Sequence, residues 1–169
     1  DFEPQSLIAI EQSYNLARLL PAEIILLHVV APLTGLSGFF VSNSNDAETD
    51  NLQHKLELLA NKVRKETGLM TTTLIEKGKV HQKILEVSER LEAGFIIMGA
   101  HSKPLDNREE EAVPGANSSR VVRSAKCPVI TINGEHHYKG CRNILLPLDL
   151  SDETRQKVSY AVQLAKLYG

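Results

Sequence analysis

Residues Gly99 to Asn117 join a short apolar run, FIIM (Phe95 to Met98), to a helical segment opening at Gly115 or Asn117. Glycines at the ends of such a loop let backbone N–H groups approach an anion without a Cβ in the way. The first turn of the following helix adds unpartnered amides and the positive end of its dipole. Asn117 adds a side chain that can donate a hydrogen bond, whereas Ala116 has none to give. Asp106, Glu109, Glu110 and Glu111 stand in the same loop and oppose an anion unless a cation bridges them. Lys103 and Arg108 offset part of that charge.

The other residue types able to do chemistry have plainer readings. His28 sits inside an apolar run and reads as a hydrogen-bonded core or rim histidine. His136, His137 and Cys141 lie together, and zinc takes such ligands, but without a fourth they read as a solvated linker. His101 follows Gly99 closely and reads as a loop residue. Cys127 precedes Pro128 at the start of a strand and reads as a small buried side chain, not a nucleophile. Leu36, Phe39, Phe40 and Val41 bring apolar bulk to a long loop, where they either fold back on the core or meet a partner. No Ser-His-Asp order, paired carboxylates or two-histidine metal motif stands out, so no catalytic residue is assigned.

The elements that must position these residues alternate. A helix is expected over 1–20, with Pro4 in its first turn and Leu7, Ile10, Tyr14 and Ala17 at helical spacing. EIILLHVV (Glu23 to Val30) is a continuous apolar run, the mark of a strand buried on both faces of a parallel sheet. A loop is expected over 31–49. A helix follows over 50–67, with Leu52, Leu56, Leu59 and Val63 on one face and Gly68 as its stop. Then come a threonine-rich strand (70–76), a helix (80–92) with Val80, Ile84, Val87 and Leu91 inward, and the strand 95–98. After the 100–114 loop stand a helix carrying Arg120 to Ala125, the strand PVITI (128–132) and a polar linker, 133–142. NILLPL (143–148) is a last strand, and a helix over 151–168 opens at Ser151. Alternation of this kind implies βαβ crossovers and a parallel sheet with helices on both faces.

Composition bounds the function. With 169 residues there is room for one ordinary α/β domain and not two. A net charge of −2 carries no basic excess for nucleic acid or an anionic membrane. The longest apolar stretch, Ile24 to Leu33, contains His28 and Pro32 and is too short to span a bilayer. Two cysteines are too few for a disulfide scaffold and fit a cytoplasmic setting.

The two ends of the chain resemble each other at an offset of 148 residues, the distance from Asp1 to Asp149. Val158 then matches Ile10, and LAKL (164–167) matches LARL (16–19). A strand precedes Asp149, and the sequence opens at Asp1 without one. The sequence is therefore expected to be a piece of a longer tandem protein. Its domain, 1–132, lacks a first strand, and 143–169 is the first strand and helix of a second unit. NILLPL is expected to complete the sheet within the chain or by exchange with a second chain, the alternative being that the whole protein has a first strand of its own ahead of Asp1.

FIIMGAH (95–101), GANSSRVVRSAKCPVITI (115–132) and NILLPLDLSDETRQKVSYAVQLAKLYG (143–169) resemble the universal stress protein family in sequence and in order of elements. The resemblance implies a doubly wound, five-stranded parallel sheet of order 3-2-1-4-5, adenine nucleotide alpha hydrolase-like. It implies homodimers or tandem pseudo-dimers, and members that bind ATP beside members that do not. ATP-binding members carry Gly-x-x-Gly, a spacer, then Gly-Ser or Gly-Thr. Gly99 and Gly115 match the first and last glycines, Ser102 stands where the middle glycine belongs, and Ala116 replaces the hydroxyl residue. The resemblance also places Asp1, and by repeat Asp149, at the nucleoside, Val30 at the base, and Pro147 beside Asp149 in a completed cleft. It implies a stress-response binding or regulatory module with weak nucleotide binding at most. The alternatives are an ATP-binding member with slow, Mg2+-assisted hydrolysis, and a binder of another small molecule.

Overall fold

The computed structural model of the protein describes residues 2–20, 22–32, 45–100, 115–133, 143–147 and 153–168. Along them run α1 (Pro4–Leu19), β1 (Ile24–Val30), α2 (Asn45–Thr67), β2 (Thr71–Lys77), α3 (Val80–Arg90), β3 (Ile96–Gly99), α4 (Ala116–Ser124), β4 (Val129–Ile132) and α5 (Glu153–Tyr168). The chain divides into two units, residues 1–136 and 137–169.

In the first unit the strands fall within one residue of the expected ranges. Helix α2 begins at Asn45, inside the stretch expected to be loop.

The strands pair in two parallel ladders. Ile24 stands opposite Thr71 and Val30 opposite Lys77 in one; Ile96 stands opposite Val129 and Gly99 opposite Ile132 in the other. Two two-stranded sheets, β1–β2 and β3–β4, are thus formed among the described residues. Helix α1 packs on β3 and β4, α2 on both strands of the first ladder, and α3 on β1 and α4.

The core joins α1, β1 and α2 through Ala17, Ile24, Leu26, Leu56, Ala60 and Val63. Leu56 and Val63 are on the expected face of α2. On α1 the buried residues are Ala9, Leu16 and Ala17, while Leu7, expected inward, is 38% exposed. Small side chains on that face let α1 lie close to the strands, and a leucine at position 7 is turned aside. On α3, Val87 is buried but Leu91, also expected inward, is 42% exposed because it lies past the last turn.

A polar corner fixes α2 to β2. Gly68, with φ +72, ends the helix in the left-handed region that glycine enters freely. Arg64 Nε and Nη2 donate to the Thr71 carbonyl at 2.9 and 2.6 Å. Arg64 Nη1 donates to Glu57 Oε1 at 2.6 Å and Asn61 Oδ1 at 2.8 Å. Thr71 itself is 2% exposed, and its hydroxyl donates to the Leu69 carbonyl.

In the second unit, residues 143–147 take no regular secondary structure, where a strand is expected over 143–148. A strand persists only as part of a ladder, and no ladder includes these residues. Leu145 is 92% exposed. Helix α5 follows, with Val158 and Val162 exposed at 36% and 46%.

Candidate functional site

The described part of the glycine loop is its two ends, and they meet. Strand β3 delivers Gly99 and then Ala100, which is buried. Gly115 is the N-cap of α4, and its N–H donates to the Ala100 carbonyl at 2.9 Å. Ser118, 3% exposed, donates its hydroxyl to the Ala100 and Gly115 carbonyls, both at 2.8 Å. The Ala100 N–H in turn donates to Ile132 of β4 at 2.8 Å. The first turn of α4 is thereby tied to the C-terminal end of β3.

No side chain caps α4. The amides of Ala116 and Asn117 therefore keep the polarity that suits an anion. Ala116 is exposed and Asn117 half-buried. Two features limit what the site can offer a phosphate. The one buried hydroxyl, on Ser118, is committed to backbone carbonyls. The room that Gly99 leaves is taken by α1: a Cβ there would stand 3.0 Å from Gln5 Cβ, 3.1 Å from the Gln5 carbonyl carbon and 3.3 Å from the Ser6 nitrogen.

Val30 ends β1, and its carbonyl accepts the Gly78 N–H at 3.0 Å, so that backbone acceptor is already engaged by the neighbouring turn. Two residues earlier, the half-buried His28 ring stacks on Phe2, with centroids 5.3 Å apart and planes 28° from parallel. Burial holds the His28 imidazole below its ordinary pKa, so it stays neutral further into acid. The start of α1 and the residue just before its cap therefore reach both ladders, through Gln5 on Gly99 and Phe2 on His28. Gln5, Phe2 and Ser118 were not singled out in the sequence. Ser118 had a legible signal, a hydroxyl in the first turn of a helix with no capping side chain.

Asp1, Ser102 and Asp149 lie outside the described residues, as do His101, the charged residues 103–111, the apolar loop residues Leu36 to Val41, and His136, His137 and Cys141. Pro147 is exposed in the second unit. Cys127 is half-buried, and burial pushes its thiol above the ordinary value, against a nucleophilic role. Among the described residues no three His, Cys, Asp or Glu side chains gather to hold a metal ion. No helix among them is long and apolar enough to cross a membrane.

Known proteins resemble this chain in sequence and fold. The sequence model described as the universal stress protein family matches residues 1–133. A universal stress protein of Methanocaldococcus jannaschii is 28% identical over 132 residues, covering 75% of this chain and 74% of that protein. A solved universal stress protein from Archaeoglobus fulgidus superposes with a TM-score of 0.69 at 20% identity, over 100% of this chain and 61% of that one. Another structure, the universal stress protein from Archaeoglobus fulgidus in complex with dAMP, gives a TM-score of 0.56 at 18% identity, over 78% of this chain and 90% of that one. The two structures share the fold, and the family match spans most of the sequence: the chain belongs to the universal stress protein family.

Proposed function

We propose that the chain is a stress-response binding and regulatory module that takes the phosphate of an adenine nucleotide weakly, at the N-terminus of α4. The carrying observation is the pairing of an uncapped helix start at Gly115 with a β3 end already filled by α1. A relative of the same fold is known in complex with dAMP. In this chain the amides of Ala116 and Asn117 attract an anion, and little else among the described residues adds to them. Weak attraction suits a sensor of abundant nucleotide better than a site that must hold ATP through hydrolysis. A cytoplasmic setting belongs to the same reading.

We read the chain, further, as part of a tandem arrangement. The second unit repeats the start of the first at the 148-residue offset. The Archaeoglobus fulgidus relative matched over the whole of this chain is itself longer.

Thermal unfolding with and without Mg-ATP at about millimolar concentration tests the first reading, because a ligand that binds only the folded state raises the midpoint with occupancy. A shift of a degree or so that AMP reproduces supports it. A large, magnesium-dependent shift specific to ATP would establish an ATP-binding member instead. No shift with any adenine nucleotide would leave the cleft to another small molecule.

A further inference from the structure

Strand β2 is bonded to β1 along one edge, and among the described residues no strand pairs with its other edge. The register decides which backbone groups face that outer edge. Ile24 stands opposite Thr71 and donates its N–H to the Met70 carbonyl at 2.9 Å. At the far end Val30 stands opposite Lys77 and accepts the Gly78 N–H at 3.0 Å. Alternate residues carry the bonds of a ladder, so the even-numbered residues from Met70 to Gly78 serve β1. The N–H and C=O groups of Thr71, Thr73, Ile75 and Lys77 therefore point the other way. A row of this kind is a template for another strand.

The head of the row is closed by α2. Arg64 sets Nε and Nη2 on the Thr71 carbonyl at 2.9 and 2.6 Å. Its Nη1 is tethered to Asn61 and Glu57, one and two turns back along the helix. Glu57 also accepts the Thr73 hydroxyl at 3.3 Å, and Gln53 Nε2 donates to that hydroxyl at 3.1 Å. The end of α2 does not need this arginine. Gly68 N–H already bonds the Arg64 carbonyl at 2.8 Å, and the Thr67 hydroxyl bonds the Val63 carbonyl at 2.7 Å. The guanidinium fork is aimed at the strand edge and not at its own helix.

We propose that Arg64 is an edge guard, closing the outer edge of β2 to pairing with the same edge of a second copy of this chain. A second copy fits because the row is self-complementary about a two-fold axis. The antiparallel register that pairs the whole row sets Thr73 against Ile75 of the second copy, and Thr71 against Lys77 of the second copy. The Thr71 carbonyl is one of the acceptors that pairing requires, and two N–H groups of Arg64 already occupy it. The same register brings Lys77 to the end where Arg64 lies, cation against cation, at both ends of the pair.

Removing the fork tests the guard. Arg64→Met and Arg64→Gln both strip Thr71 of its donors, and circular dichroism at low concentration identifies a folded variant to read. Light scattering over a range of concentrations is then compared with the wild type. The expected result is an added association step in the variant, with amides of Thr73 and Ile75 exchanging more slowly as concentration rises. Thr73→Pro placed in the same variant is expected to abolish that step. The Thr73 N–H faces the outer edge, so proline there removes a donor from the new pairing and none from the β1 ladder. Association caused by partial unfolding would instead persist or grow with the proline. A variant that associates no more than the wild type, or one whose association survives Thr73→Pro, would overturn the proposal.

Discussion

Gly99, the last residue of β3, lies directly under Gln5 in the first turn of α1, so close that a Cβ on Gly99 would stand 3.0 Å from Gln5 Cβ. The neighbouring atoms include helix backbone, which yields little. Gly99→Ala is therefore expected to destabilise the protein by about 1–3 kcal/mol through overpacking. Urea unfolding checks this. Were the glycine there only to admit a phosphate, the substitution would leave stability unchanged and affect ligand binding alone.

Ser118 answers a related question about the other end of the loop. Its hydroxyl joins Ala100 to Gly115 from a buried position. Ser118→Ala leaves those carbonyls one donor short and is expected to cost about 1–2 kcal/mol. Nucleotide affinity should fall only in step with the folded population, since the hydroxyl has no proton to spare for a phosphate. Unfolding and titration of the same variant separate the two effects.

The α2–β2 corner depends on Arg64 more than on any surface ion pair. Two of its N–H groups converge on the Thr71 carbonyl. Arg64→Lys keeps the charge but loses the fork, and is expected to destabilise the protein by about 1 kcal/mol. Urea unfolding at low and high salt gives the same loss if hydrogen-bond geometry, and not charge, sets it.

Tyr14 sets the alkaline limit. Burial, with Glu66 and Glu11 nearby, pushes its hydroxyl up to about 12. The unfolded chain releases that proton near pH 10, the folded chain only near 12. The unfolded state thus binds fewer protons in between, and stability falls as pH rises from about 10 to about 12. Tyr14→Phe should flatten that fall, read by unfolding across the range.

His28 acts in the opposite direction of pH. Burial lowers its pKa, so as pH falls below the ordinary histidine value the unfolded chain gains a proton that the folded chain resists. Stability is lost in that mildly acidic window. His28→Gln should reduce the loss there and leave neutral stability within about 1 kcal/mol, because the flat amide still packs on Phe2.

Most of the fold was legible because its signals are local. EIILLHVV and FIIM are continuous apolar runs of strand length, rich in β-branched residues. Leu56 and Val63 follow helical spacing onto the core. On α1, Ala17 follows the helical spacing onto the core and Leu7 does not, since close packing selects Ala9, and a small residue leaves a weak hydrophobic signal. The start of α2 at Asn45 was missed because Asp and Asn also favour turns. At the site, Gly99 and Gly115 were legible as glycines that matter. Their reason was not: the contact of Gly99 with Gln5 joins residues far apart in sequence, and no spacing rule reports it. NILLPL reads as a strand by composition, but a ladder needs a neighbour, and sequence does not supply one.

The most direct test of the weak-nucleotide reading is an amide chemical-shift titration of the isotopically labelled chain with AMP. Progressive shifts centred on Ala116 and Asn117, without saturation below about millimolar ligand, are the expected result. Tight, saturating binding, or shifts that leave the start of α4 untouched, would contradict it.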